Sequence, residues 1–348
     1  MTNTIKILSL DGGGSKGVFH LYFLEALERQ LNQRTRNTFD YIGGTSVGGI
    51  ISLVLTHPLL WMDNRNDFWV SDLNSKKIDE KLLSVVFGPP RSIFTPPRLG
   101  IFSPKYTDRA EHMQNFYDNE FFGKKNFGGN DVKPTMVFSY SLTENSTKIY
   151  KSWRPVNQTI PLSIVARATS AAPTFFPAVV HNGEVLIDGG VATNDPSYLM
   201  GHEARRNMRD FSHPLIIISL GTSIRGFADY SSCYNGGLTH WGLKFVNFSM
   251  ETQQRIVSYL NGHSSNCSLF CDGCTQNHFH EILGSDQNCF ADYHYYDNIH
   301  YFRFAPLVDS ILDNTNPVLL NQLKKQAESF FNSNSQIVEK MKSLLTPQ

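Results

Sequence analysis

Residues 39–55 read Phe39-Asp40-Tyr41-Ile42-Gly43-Gly44-Thr45-Ser46-Val47-Gly48-Gly49-Ile50-Ile51-Ser52-Leu53-Val54-Leu55. Phe39 to Ile42 has the character of a strand, and the apolar run Ile50 to Leu55 reads as a buried helix. Between them, Gly44-Thr45-Ser46-Val47-Gly48 fits G-x-S-x-G, the elbow that turns a strand sharply into a helix and holds a serine in a strained, exposed conformation. The flanking residues must be small because the turn brings neighbouring backbone close. The helix that follows would aim its first N–H groups and the positive end of its dipole at the serine, where an anion would be stabilised. A five-residue pattern of this kind also arises by chance around an ordinary serine, so the strand before it and the helix after it carry the reading.

Working outward, the N-terminal side repeats the same unit. Ile5 to Leu10 is a strand, Asp11-Gly12-Gly13-Gly14-Ser15-Lys16-Gly17 a glycine turn, and Val18, Phe19, Leu21, Tyr22, Leu24 and Leu27 recur at helical spacing from Gly17 to about Gln33. On the C-terminal side, strands are expected at Thr135–Tyr140, Lys148–Tyr150, Ala178–His181, Val185–Ile187, Leu215–Leu220 and Tyr301–Phe304. Helices are expected around Pro161–Thr169, from Trp241 to about Leu260, and as one amphipathic segment at the C-terminus. This alternation indicates an α/β fold with a mainly parallel central sheet flanked by helices, in a single domain over residues 1–348. The proline-dense stretch FGPPRSIFTPPRLGIFSP lies in a loop-rich cap of about 63–104. A Cys/His-rich insertion spans about 263–298.

Composition narrows the partners. Lys plus Arg and Asp plus Glu number 31 each, so no overall field recruits nucleic acid, and membrane contact has to be local and largely apolar. The start has no charged flank before a long apolar core, and no apolar run approaches the roughly 18 residues of a membrane span. A cytoplasmic chain with peripheral, transient membrane association is expected. The oligomeric state is not encoded in any feature of the sequence.

The glycine loop has two readings. Gly12, Gly14 and Gly17 satisfy G-x-G-x-x-G, and Asp40 lies at a tolerable distance for a ribose ligand, as in a nucleotide-binding dehydrogenase. That reading leaves Ser46 without a use. Alternatively, consecutive glycines leave backbone N–H groups unobstructed to converge on a developing oxyanion; Gly13 and Gly14 are the candidates, with Gly12 in the same loop and help from the N–H of Val47. Lys16 either meets a phosphate head group or lies in solvent at the loop edge, the commoner fate of a lysine.

A serine nucleophile needs a proton acceptor, ordinarily histidine. Of the 12 histidines, none sits in a strong motif: His20 is inside the first helix, His57 follows the second, and His181 precedes a turn. Val185-Leu186-Ile187-Asp188-Gly189-Gly190 is more informative, since it ends a buried strand on a carboxylate followed by two glycines. Taken alone, Asp188 also reads as a plain turn aspartate.

Together the three motifs resemble those of the patatin-like phospholipase family: D-G-G-G-x-K-G, G-T-S-V-G and D-G-G. Ala166-Arg167-Ala168-Thr169-Ser170-Ala171-Ala172-Pro173-Thr174-Phe175-Phe176-Pro177, Asn194-Asp195-Pro196 and Ile216 to Thr222 extend the similarity, and weaker likeness runs through Trp241-Gly242 and Tyr301-Phe302-Arg303. The resemblance implies a patatin-like modified α/β-hydrolase architecture without a catalytic histidine or a cofactor. It implies activity on acyl esters of phospholipids or galactolipids, with Ser46 as nucleophile, Asp188 as base and Gly12 to Gly14 as the oxyanion loop. Gly17, Gly44, Gly48, Gly189 and Gly190 are the motif glycines. A non-catalytic lipid-binding protein on the same fold is the alternative, although it has no need of all three motifs. Phe87, Ile93, Phe94, Leu99, Ile101 and Phe102 supply either a lipid-facing rim or core packing. Cys267, Cys271, Cys274 and Cys289 offer zinc-ligand chemistry at irregular spacing, with reduced thiols or a local disulfide as the plainer reading.

Overall fold

The computed structural model describes residues 4–57, 68–75, 111, 113–129, 132–173, 175–222, 252–253, 257, 289–296, 298–308, 316–333 and 335–346. The cap residues from Phe87 to Phe102, Cys267, Cys271 and Cys274 lie outside this set, as does most of the helix expected from Trp241.

The strands are β1 (Ile5–Leu10), β2 (Tyr41–Thr45), β3 (Thr135–Ser141), β4 (Ser146–Lys151), β5 (Val179–His181), β6 (Glu184–Asp188), β7 (Leu215–Leu220), β8 (Cys289–Tyr296) and β9 (Ile299–Pro306). They form one mixed sheet among the described residues. Its centre is parallel, running β3, β2, β1, β7, β9. The flanks are antiparallel, through β3–β4, β3–β6, β5–β6 and β8–β9. β8 falls at the end of the segment read as an insertion from about 263 to 298, so its last part belongs to the sheet.

The helices are α1 (Val18–Leu31), α2 (Thr35–Thr38), α3 (Val47–Thr56), α4 (Val70–Ser75), α5 (Pro155–Gln158), α6 (Leu162–Ser170), α7 (Ser197–Met208), α8 (Pro317–Ser333) and α9 (Ser335–Leu345). Strand residues alternate between the faces, as the two-residue period requires. Leu8, Leu10, Ile216, Ile218 and Leu220 face a core shared with α1, α3, α6 and α8. Ile5, Ile7, Leu215 and Ile217 face a second core, closed by Met200 and Ala204 of α7. The result is a helix–sheet–helix sandwich. The C-terminal amphipathic segment is two helices rather than one.

Register on β3 decides the position of the site. β2 pairs with the first half of β3, ending at Thr45 opposite Phe138. β6 runs the other way and pairs with the second half, ending at Asp188 opposite Ser139. β4 takes the full length of the remaining edge, since Phe138 and Ser139 pair there with Ile149 and Lys148. The C-terminal ends of β2 and β6 therefore meet nose to nose at two consecutive residues of β3.

Candidate active site

Ser46 is the first residue beyond β2 and the N-cap of α3. Its backbone sits at φ 54°, ψ −125°, a conformation that costs a non-glycine residue on the order of 1–3 kcal/mol and persists only where the surroundings enforce it. They do so with backbone. A Cβ on Gly44 would lie 2.6 Å from the Leu10 carbonyl oxygen, and one on Gly48 2.6 Å from that of Asp11. The Ser46 N–H donates to Thr169 Oγ1 at 2.9 Å, and that hydroxyl in turn donates to the Phe138 carbonyl. All ten residues of α3 are buried, so little water screens the unpaired N–H groups at its start.

Asp188 closes β6 with one oxygen directed at each neighbour. Ser46 Oγ donates to Oδ2 at 2.6 Å, and the Gly190 N–H donates to Oδ1 at 2.7 Å. A Cβ on Gly189 would lie 2.6 Å from the Phe138 carbonyl oxygen, so glycine is required where the chain turns over β3. Asp188 is 5% exposed. Burial pushes its carboxyl up to about 6, against the opposing pull of the Ser46 hydroxyl and the Gly190 N–H. Among the described residues no histidine bonds Ser46 or Asp188. His57 is bound instead to the Phe127 carbonyl at 2.9 Å, and His20 is buried in α1.

The glycine loop lies against the serine: a Cβ on Gly12 would come within 3.1 Å of Ser46 Cβ. Its three leading glycines are not equivalent. The Gly12 N–H donates to the Asn194 carbonyl at 3.1 Å, and the Gly12 carbonyl accepts from Thr222 Oγ1 at 2.7 Å. Gly12 is therefore an anchor, its N–H already committed, rather than an oxyanion donor. The N–H groups of Gly13 and Gly14 make no hydrogen bond among the described residues. Gly13 at φ 155° and Gly14 at φ 60° adopt conformations open to glycine. A Cβ on Gly13 would strike Thr222, 2.8 Å from Cγ2. Gly17 seats the loop on Val47, whose Cγ2 would be 2.6 Å from an added Cβ.

Two sequence readings need correction. Lys16, placed in solvent by its residue type, is 6% exposed, because residues 14–17 tighten into a 3₁₀ turn that turns Ser15, Lys16 and Gly17 inward. Asp40 cannot serve a dinucleotide bound at the glycine loop. It precedes β2 and accepts the Lys6 N–H, and since β1 and β2 are parallel, it lies a strand length of about 16 Å from the loop end of the sheet.

Sequence reasoning missed the residues that join the motifs. Arg303 of β9 donates to both Asp11 oxygens and to Ser219 Oγ, and it lies 3.2 Å from Asp195 Oδ2. One buried guanidinium thus holds both the residue that opens the glycine loop and the end of the loop that follows Asp188. Burial opposes its charge, but the two carboxylates prevail and raise its pKa well above the ordinary range. Gln253 bridges the second loop, donating to the Val191 carbonyl at 2.9 Å and accepting the Asn194 N–H at 3.0 Å. Thr169 and Arg303 lay in stretches already singled out as family-like; Gln253 carried no signal.

Comparison with known proteins agrees with this anatomy. The family model described as patatin-like phospholipase matches residues 8–199, a span that contains all three motifs. Probable inactive patatin-3-Kuras 1 of Solanum tuberosum is 27% identical over 74% of this chain and 73% of its own length. The cGAMP-activated phospholipase of Vibrio cholerae serotype O1 is 28% identical over 74% of this chain and 76% of its own. Patatin-like protein 2 of Oryza sativa subsp. indica is 29% identical over 56% of this chain, which spans 51% of that protein, about half its length. With more than half of its residues matched by the family model, the chain belongs to the patatin-like phospholipase family.

Proposed function

We propose that this protein hydrolyses acyl esters of phospholipids or galactolipids and releases free fatty acid through an acyl-enzyme on Ser46, with Asp188 as general base. Family membership supports a lipid hydrolase in general terms. The observation that carries the finer reading is the 2.6 Å hydrogen bond from Ser46 Oγ to an Asp188 oxygen, at a carboxyl raised towards neutrality by burial.

In acylation, Ser46 Oγ attacks the ester carbonyl carbon and its proton passes to Asp188. The carbonyl oxygen becomes an oxyanion beside the N–H groups of Gly13, Gly14 and Val47. As the bond to the alcohol oxygen breaks, Asp188 returns the proton to that oxygen. Water then attacks the acyl carbon, gives a proton to Asp188, and Ser46 leaves and recovers it. The Gly190 N–H keeps the carboxylate aligned through both halves. Substrate approach from a membrane surface is part of the same proposal.

The test is product analysis by mass spectrometry on a mixed lipid extract treated with wild type, Ser46→Ala and Asp188→Asn. Fatty acid release by wild type and its loss in both folded variants is the expected result. Release by either variant at the wild-type rate removes that residue from the mechanism. An inert wild type would favour the non-catalytic lipid-binding reading, a possibility given weight by a relative named as probably inactive.

A further inference from the structure

The end of α6 grips both members of the dyad by their main chain. Thr169 Oγ1 accepts the Ser46 N–H at 2.9 Å, and the Ala171 carbonyl accepts the Asp188 N–H at 3.0 Å. Different devices aim the two acceptors. Ala171, at φ −75° and ψ 61°, leaves the helix in an inverse γ-turn, closed by the Ala172 N–H on the Ser170 carbonyl at 2.8 Å, which turns its own carbonyl towards β6. The Thr169 hydroxyl donates to the Phe138 carbonyl, which commits its proton to β3 and leaves an oxygen lone pair for Ser46. Thr169 is fully buried, and a Cβ on Gly49 would lie 2.8 Å from Oγ1 and 3.0 Å from Cγ2, so the first turn of α3 packs directly on it. On the far side of the serine, the Ser46 carbonyl accepts the Ile50 N–H at 3.0 Å within α3. The peptide planes before and after Ser46 are thus both held, and with them the positive φ of 54° and the direction of the Cα–Cβ bond.

We infer that Thr169 is a positioning residue for the proposed hydrolysis: by holding the Ser46 N–H it keeps the serine backbone in the conformation that points Oγ at Asp188, without touching substrate itself. The inference rests on the Ser46–Asp188 reading above. Without the threonine oxygen the Ser46 N–H loses its acceptor, and a peptide that turns to find another carries Oγ off the carboxylate. Burial, the Ser46 hydroxyl and the Gly190 N–H set the proton affinity of Asp188. Withdrawing the hydroxyl removes one of the two pulls that lower it, so the carboxyl then titrates higher. A threonine that merely filled space would move neither that titration nor the turnover of a folded protein.

The experiment measures hydrolysis of p-nitrophenyl butyrate across pH by wild type, Thr169→Val, Thr169→Ser and Ser170→Ala. Thr169→Val keeps the shape of the side chain and removes its oxygen. Its kcat is expected to fall about 10²-fold, the consequence of a nucleophile displaced by about 1 Å, with KM little changed and the rising limb of kcat/KM displaced to higher pH. Thr169→Ser restores the oxygen and is expected to recover kcat to within a few-fold and return the limb to its wild-type position. Ser170→Ala removes a buried hydroxyl from the same turn, one bonded to the Ala166 carbonyl, and is expected to keep the wild-type kcat and profile. If Thr169→Val does not fold, Thr169→Cys takes its place, because a thiol is a weak acceptor: a smaller loss with the same displacement upholds the role, and wild-type kinetics overturns it. Wild-type turnover in folded Thr169→Val, a loss without displacement of the limb, no recovery in Thr169→Ser, or an equal loss in Ser170→Ala also overturns the role of Thr169 and leaves the dyad standing. An inert wild type, or Ser46→Ala that hydrolyses the ester at the wild-type rate, removes the dyad and this inference with it.

Discussion

At the residue scale, the decisive quantity is the free energy needed to keep Asp188 ionised out of water. Its folded pKa, about 6, lies above the ordinary 3.8, so the folded protein binds the proton more tightly than the unfolded chain does. The stabilisation from that proton is fully present below the ordinary value and is lost as pH rises through about 6. Asp188→Asn keeps an oxygen for the Gly190 N–H and supplies an amide to Ser46 Oγ without the charge. The variant is expected to be more stable than wild type at neutral pH by up to about 3 kcal/mol, an advantage that shrinks in mild acid, read by thermal melts at both conditions. Its kcat is expected to fall about 10³-fold. For wild type, kcat/KM is expected to rise with pH through about 6 and to be flat above, because the base proposed here acts as carboxylate; a profile of ester hydrolysis checks the midpoint. Ser46, Asp188 and the glycines were legible in sequence because each sits in a motif whose residue types follow from its task. Asn194 lay in a stretch that the sequence already marks as family-like, though its bond to the Gly12 carbonyl had no signal, and Gln253 had none at all, since an amide that bonds backbone from a distant loop leaves no periodicity.

At the element scale, the elbow is made of backbone contacts, so it tolerates little. Gly48→Ala would drive a methyl between the Leu10 and Asp11 carbonyl oxygens at the start of α3, where neither side has a flexible end to yield. A loss of about 3 kcal/mol or more is expected, measured as the shift of the urea midpoint. By contrast, Gly183 at φ 79° has nothing within 4 Å of an added Cβ, and Gly183→Ala should cost only its strain, about 1 kcal/mol. The hydrophobic runs disclosed most strands within a residue or two, as at Leu215–Leu220. β2 is displaced from its expected Phe39–Ile42 to Tyr41–Thr45 because glycines without an apolar signal complete it. β8 was hidden for a similar reason: Cys289–Tyr296 ends a polar, cysteine- and histidine-rich stretch, and only pairing with β9 makes it a strand.

At the scale of the molecule, the site depends on a register and a tether that no local pattern contains. β2 and β6 terminate opposite Phe138 and Ser139, and Arg303 holds Asp11 and Asp195 from the far side of the sheet. Arg303→Met is expected to cost about 3–5 kcal/mol, because it leaves two buried carboxylates without their cation; chemical denaturation reads this directly. The tether also has a temporal side. Asp11 and Arg303 are 292 positions apart, so on a growing polypeptide the glycine loop and the serine are made long before the side chain that fixes them. A ribosome-bound chain halted before β9 carries the serine and the aspartate but not the guanidinium, and the hydrolytic competence proposed for the site is therefore expected to arrive late in synthesis.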